Sequence, residues 1–385
     1  MRIDEPWLKE LVRPAMRDLI PYSSARNEFT GVARVSLDAN ESWKALIAEP
    51  GINRYPDPSA HELIQKYSSV IGIKEDCIIS GSGSDELIDV LIRVLCVSGK
   101  DSIITLSPTY GAYEVFAHIN DVTVQKIPLA ADFTLDCDFA RAAVEKLSSG
   151  GTENQGEREN QGERMEKKGR PKILFLCSPN NPTGNAFPPG TIAALAEAFD
   201  GITVVDEAYA DFSTVPSALS LLEKNPRLVV MRTLSKAWAL AGARVGFMMG
   251  HPSLMKLARA VAYPYNLGSP SQKLALRALD DRDGVHKMVT QVLEERKRME
   301  KSLPSFSCIR TVYPSDANFL LVKTDDADSM TACLRNKGII IRNRNREQGC
   351  AGCVRITVGS REENDEVLAA LKEYDRMKAD QQEDM

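Results

Sequence analysis

From about residue 31 to about residue 265, short apolar runs alternate with stretches whose apolar residues fall at helical spacing. Ile78-Ile79, Ile103-Ile104-Thr105-Leu106, Lys172-Ile173-Leu174-Phe175 and Ile202-Thr203-Val204-Val205 have the near-continuous, β-branched composition of strands buried on both faces. Behind the first of them, Leu87, Ile88, Val90, Leu91, Val94 and Leu95 mark one face of a helix. This alternation predicts an α/β fold, a mostly parallel sheet with helices on both faces. A long amphipathic helix is expected over 272–301, leading to strands at 318–322 and 354–358 with helices between and after. The chain therefore divides into a large domain (31–270) and a smaller α+β domain (271–385) that the N-terminal arm (1–30) rejoins. The polar end, 377–385, has no apolar stripe to dock and is expected to fray.

Residues 148–170 interrupt the large domain. They contain a tandem hexapeptide, 153–158 repeated as 159–164, with almost no apolar side chains. Too little surface can be buried there to offset the ordering entropy, so a mobile surface loop is expected.

At 385 residues the chain can bury a large core. A net charge of −5, with no basic block beyond short helical patches, argues against nucleic acid as a partner. The N-terminus lacks a signal-type apolar stretch and no apolar run approaches ~20 residues, so no membrane span is expected. Eight cysteines without regular spacing fit a reducing cytoplasm, and the CxxC at Cys350 and Cys353 has no second pair to make a metal site. The four histidines, His61, His118, His251 and His286, are too scattered for a zinc centre or a serine-type triad.

The chemistry concentrates where strands end. Thr233-Leu234-Ser235-Lys236, with Arg244 eight residues on from Lys236, joins a lysine to two hydroxyls and a guanidinium. Such a lysine can carry a cofactor aldehyde beside a phosphate seat, as pyridoxal 5'-phosphate requires. Asp206 follows the run 202–205, and a buried carboxylate there needs a cation such as a protonated pyridine nitrogen. Tyr209 lies three residues on. The turn Ser178-Pro179-Asn180-Asn181-Pro182-Thr183-Gly184 holds an amide rigidly at another strand end. Ser80-Gly81-Ser82-Gly83-Ser84-Asp85 opens a helix and offers backbone N–H groups to an anion. Tyr110, in Ser107-Pro108-Thr109-Tyr110-Gly111-Ala112-Tyr113, can stack on a flat ring. Each segment alone also reads blandly, as a cap, a turn or a core tyrosine. Their value lies in fitting one cofactor.

Taken in order, these segments resemble those of the fold type I pyridoxal-phosphate enzymes, the aspartate aminotransferase superfamily. The resemblance is closer still to the histidinol-phosphate aminotransferases. It is carried further by Leu11-Val12-Arg13-Pro14 with 20–26, by Leu37-Asp38-Ala39-Asn40-Glu41, by Asn53-Arg54-Tyr55-Pro56-Asp57-Pro58, and by Gly352-Cys353-Val354-Arg355-Ile356-Thr357-Val358-Gly359. One departure is Ala239, where the family's lysine motif usually has glycine. The resemblance implies a seven-stranded-type sheet and a homodimer with Tyr55 reaching the partner's phosphate. It also implies transamination between L-histidinol phosphate and 2-oxoglutarate, giving imidazole acetol phosphate and glutamate. Lys236, Asp206 and Tyr209 would be catalytic. Ser84, Asp85, Thr233, Ser235 and Arg244 would hold the phosphate, Tyr110 would stack on the ring, and Asn181 and Tyr209 would bond its oxygen. Arg355 would bind the substrate carboxylate, and Tyr22, Asn40 and Arg342 the rest of the substrate, with Arg344 and Arg346 close enough to compete for that place. Two alternatives stay open at this point: a related cofactor enzyme, such as an aromatic aminotransferase or a threonine-phosphate decarboxylase, and a non-enzymatic ligand-binding module.

Overall fold

The computed structural model describes residues 3–20, 34–35, 37–149 and 169–383. Tyr22 and most of the 148–170 insertion lie outside them. Seven strands form the large sheet: β1 (Ile78–Ser82), β2 (Asp101–Ser107), β3 (Thr123–Pro128), β4 (Arg170–Cys177), β5 (Ile202–Asp206), β6 (Leu228–Thr233) and β7 (Val245–Met249). Their order is β1-β7-β6-β5-β4-β2-β3. The pairs from β6 across to β3 are parallel, and only β7 runs against its neighbours.

Strand side chains alternate between faces. Leu174 and Leu176 of β4 accordingly join one core cluster with Ile104, Leu106, Val205 and Val230. Ile173 and Phe175 join the opposite cluster with Ile103, Val204 and Val229. Both faces are covered, which is why the strands read as continuous apolar runs rather than alternating ones. Each such side chain contributes roughly 1.5–3 kcal/mol when fully buried.

The second sheet holds β8 (Ile309–Val312), β9 (Phe319–Thr324), β10 (Arg342–Asn343) and β11 (Cys353–Thr357), antiparallel throughout in the order β10-β11-β9-β8. Leu320 and Val322 pack with Val354, Ile356, Met330 and Leu371 inside the small domain. Phe319 and Leu321 point the other way, to Tyr209 and Phe212 and to Phe133 respectively. The small sheet therefore sits over the carboxyl ends of the large one.

Three boundaries differ from expectation. The helix expected over 272–301 is two, Ser269–Asp280 and Arg282–Ser302. Asp281 leaves helical geometry (φ −100°, ψ 58°) and its carboxylate accepts the Gly284 N–H at 3.0 Å, capping the second helix. The first part of the N-terminal arm joins the large domain instead of the small one. Leu8, Leu11 and Val12 enter the core cluster of the helix Gly83–Leu95, and Lys172 donates to the Leu11 carbonyl at 3.2 Å. The last helix, Arg361–Glu383, runs on into the segment expected to fray, as far as the described residues reach, and no glycine or proline interrupts it.

Candidate active site

Asp206, the last residue of β5, is 2% exposed. Its Oδ1 accepts the Ala208 N–H at 3.1 Å and its Oδ2 the Tyr113 hydroxyl at 2.7 Å. Tyr113 is fixed in turn by stacking on Phe175, centroids 4.6 Å apart and planes 10° apart. Burial pushes the Asp206 carboxyl up to about 6, while the two hydrogen bonds pull it down. A cationic ring nitrogen placed beside it would favour the ionised form.

Lys236 occupies the turn after β6, its Nζ 5.4 Å from the centre of the Tyr209 ring. Burial, then the Arg355 guanidinium, holds its amine below the usual lysine range. The same turn explains the departure at position 239. Ala239 has φ +55°, a left-handed conformation that glycine adopts without a Cβ penalty. Ala239→Gly should therefore stabilise the protein by about 0.5–1 kcal/mol, less than the full αL cost because glycine also loosens the unfolded chain. Urea denaturation with a lower midpoint in the variant would contradict this.

The helix Gly83–Leu95 starts directly at the end of β1 and presents its N-terminal N–H groups to the same space. A Cβ on Gly83 would lie 2.4 Å from Arg244 Nη2, and one on Gly246 would lie 2.5 Å from the Ser84 nitrogen. Glycine at both positions lets the guanidinium and β7 close on the helix start. Arg244 donates to Asp85 Oδ2 at 3.1 Å and to Ser235 Oγ at 3.4 Å, and Thr233 Oγ1 donates to Ser235 Oγ at 2.9 Å. Asp85 also accepts the Tyr110 hydroxyl at 3.0 Å. Its carboxylate is thus engaged in positioning Arg244 and Tyr110, leaving its backbone N–H to face an anion.

The turn after β4 is tied down through Asn180. Its amide nitrogen donates to the Pro108 carbonyl at 3.0 Å and to Thr183 Oγ1 at 2.7 Å, and its oxygen accepts from Thr109 at 2.7 Å. Gly184 (φ +87°) closes the turn against Ser315 of the small domain, where a Cβ would come within 2.5 Å of its hydroxyl. Asn181 is thereby aimed at the small sheet, and its Oδ1 accepts from both Arg355 and Arg344.

Ten of the eleven expected cofactor residues line one cleft: Ser84, Asp85, Tyr110, Asn181, Asp206, Tyr209, Thr233, Ser235, Lys236 and Arg244. The cleft is open to solvent on one side. Tyr55 is half-exposed and stacks on Tyr265 at 4.6 Å, away from the cleft of its own chain. Asn40 lies on the surface with φ +54°. Arg342 is exposed, directly opposite Arg355 in the small sheet. Tyr113 was passed over in the sequence although it stands three residues from Tyr110. It stands on the helix Ala112–Ile119 after β2, and only the sheet brings that helix to Asp206 at the end of β5.

Pyridoxal phosphate fits this donor set. A buried carboxylate awaits a cation, an amine of lowered basicity faces it, and an anion seat lies at a helix start. Fold and site together define a cofactor-dependent group-transfer enzyme, and the chain belongs to the class I and II aminotransferases, whose family model matches residues 22–371. Within that family it belongs with the histidinol-phosphate aminotransferases. The one from Parabacteroides distasonis is 43% identical over 368 residues, which cover 95% of this chain and 98% of that protein. Solved structures agree in fold. The histidinol-phosphate aminotransferase of Clostridium acetobutylicum superposes with a TM-score of 0.73 at 21% identity, covering 85% of this chain and 92% of the other. That of Sinorhizobium meliloti, in complex with pyridoxal 5'-phosphate, gives 0.72 at 25%, covering 85% and 84%.

Proposed function

We propose that this chain binds pyridoxal 5'-phosphate in the cleft and transfers an amino group from L-histidinol phosphate to 2-oxoglutarate, a step of histidine biosynthesis. The observation that carries the reading is Lys236 and buried Asp206 lining one cleft beside an anion seat. When bound, the cofactor supplies an aldehyde that carries the amino group and a ring that accepts electrons from the substrate carbon. Asp206 holds the ring nitrogen protonated, oriented by Tyr113 and the Ala208 N–H. Tyr209 and Asn181 bond the ring oxygen, and Tyr110 covers one ring face. The N–H groups of Ser84 and Asp85, with Thr233, Ser235 and Arg244, hold the phosphate. Lys236 Nζ, its basicity lowered by burial and Arg355, removes the proton from the substrate carbon and returns it during transfer. Arg355 binds the carboxylate of glutamate, and Tyr22, Asn40 and Arg342 complete the substrate site.

The working form is a cytoplasmic homodimer in which Tyr55 serves the partner's phosphate. Trp43, Leu46 and Ile47 near Tyr55 are 82%, 100% and 64% exposed, an apolar surface of the kind a second copy buries. Among the described residues no helix is long and apolar enough to cross a membrane.

The test is a half-reaction on cofactor-loaded protein whose mass is measured in parallel. Histidinol phosphate should convert the aldehyde absorbance to that of the amine form, in a particle of two chains. Conversion by phenylalanine alone, or release of carbon dioxide from threonine phosphate, would reassign the substrate.

A further inference from the structure

Cys350 and Cys353 make up the single CxxC of the chain and stand at the two ends of one tight turn. The Cys353 N–H donates to the Cys350 carbonyl at 2.9 Å, and Gly352 supplies a positive φ (+75°) inside the turn. A Cβ at Gly352 would also come within 2.9 Å of the Thr324 carbonyl, so glycine is needed there on both counts. A turn closed in this way holds the Cα atoms of its end residues within roughly 7 Å. A disulfide spans Cα separations of roughly 4.4–6.8 Å. The backbone therefore already holds the two cysteines within reach of a bridge.

Their side chains meet as well. Both are fully buried, in a small cluster with Phe133 and Leu321. The thiols hydrogen-bond one another, which favours the thiolate of Cys353 and pushes the Cys350 thiol up. The cover over them is thin. Gly349 and Ala351 are exposed and Gly352 is half-buried, so local opening of this one surface turn uncovers both sulfurs.

The turn is part of a clasp between the small domain and the large one. The Cys350 N–H donates to the Glu347 carbonyl at 2.9 Å, and Gln348 between them accepts the Ser107 hydroxyl at 2.9 Å, at the end of β2. A Cβ on Gly349 would lie 3.5 Å from the Phe133 ring and 3.8 Å from Pro108. On its other side the turn runs straight into β11, where Arg355 stands two residues past Cys353. A change of shape in the turn is thus felt both at the rim of the cleft and in the strand that carries Arg355.

We infer that Cys350 and Cys353 are a modification site, a dithiol that hydrogen peroxide converts to an intramolecular disulfide, and that the bridge loosens the clasp at Ser107. The thiolate of Cys353 attacks one peroxide oxygen and the O–O bond breaks, leaving a sulfenic acid; the displaced hydroxide takes up the proton that Cys353 released and departs as water. The Cys350 sulfur then attacks the Cys353 sulfur, and its proton leaves with the sulfenic hydroxyl as a second water. Two thiols lose two electrons and two protons, and the peroxide takes up both. A small-molecule dithiol reverses the step by exchange. The bridge itself does not depend on the proposed function.

The experiment treats holoenzyme with hydrogen peroxide and maps its tryptic peptides. Peptide 347–355, which carries both cysteines, should lose two hydrogens, about 2 Da, and regain them in dithiothreitol. Cys350→Ser should stop at a sulfenic acid on Cys353, trapped by dimedone, while Cys353→Ser should take up no label at Cys350. Oxidation of the wild type should raise KM for glutamate about 3- to 10-fold, the weight of the hydrogen bond from Ser107 to Gln348, with kcat changed little. Gln348→Ala should show the same rise without peroxide. If peptide 347–355 stays reduced while the partly exposed Cys77 or Cys137 is oxidised, or if the bridge forms and KM does not move, the inference fails. A holoenzyme that does not accept glutamate would instead remove the proposed function, and the peptide mass would still decide the dithiol.

Discussion

Lys236→Ala should lower turnover by at least about 10⁴-fold, since it removes the side chain proposed both to hold the cofactor and to move the proton. Cofactor binding should survive in part, because Arg244, Ser235 and the helix start hold the phosphate independently of the lysine. Borohydride treatment followed by peptide mapping separates these effects. Wild type should yield one labelled peptide containing Lys236, and the variant none. A label on another lysine, or unchanged turnover, would refute the assignment. The lysine is prepared for the task by its surroundings. Desolvation and Arg355 lower its basicity, which favours the neutral amine.

Asp206→Asn should reduce activity by about 10²–10³-fold, the scale of losing one preorganised electrostatic contact in a water-excluded site. It should also have an opposite effect on stability. In cofactor-free protein the Asp206 pKa is about 6, above the ordinary 3.8, so between those values the folded state binds more protons than the unfolded one. Stability contributed by this group is intact below about 3.8 and declines as pH rises to about 6, by on the order of 3 kcal/mol in all. The asparagine variant, free of cofactor, should therefore be more stable than wild type at pH 7 and lose that advantage near pH 4. Paired denaturation curves at the two pH values test this, and an equal difference at both would remove the linkage. Tyr113→Phe belongs to the same series. Without its hydroxyl the carboxyl is held higher still, so the acid limb of the activity profile moves to higher pH.

Much of the candidate site was legible because most of its parts lie at the ends of strands that announce themselves by composition. The apolar runs ending before Asp206, Ser178 and Ser107 fix where the chain leaves the sheet, and parallel pairing brings those ends together. What the sequence did not reveal depends on contacts between distant segments. Tyr113, on the helix after β2, meets Asp206 only after β2 and β5 have both paired with β4, and local spacing cannot register that. The docking of Leu8 and Leu11 on the large domain follows from a vacant apolar face on the helix Gly83–Leu95, not from anything in the arm. The break at Asp281 was visible as an acidic cap before Gly284, but continuous amphipathic spacing on both sides concealed it. Arg342 and Arg344 are equivalent as text. They part company only in the fold, where Arg342 is exposed on β10 and Arg344, just past the strand and partly buried, reaches Asn181.

Gly184 meets Ser315 too closely for any side chain, and Asn181 beside it reaches the arginines of the small sheet. The reactive groups and the arginines of the small sheet therefore stand on different sheets that meet at this turn. A descendant of this chain could acquire a new amine by rewriting a few codons in the four-stranded unit alone, leaving its catalytic engine untouched.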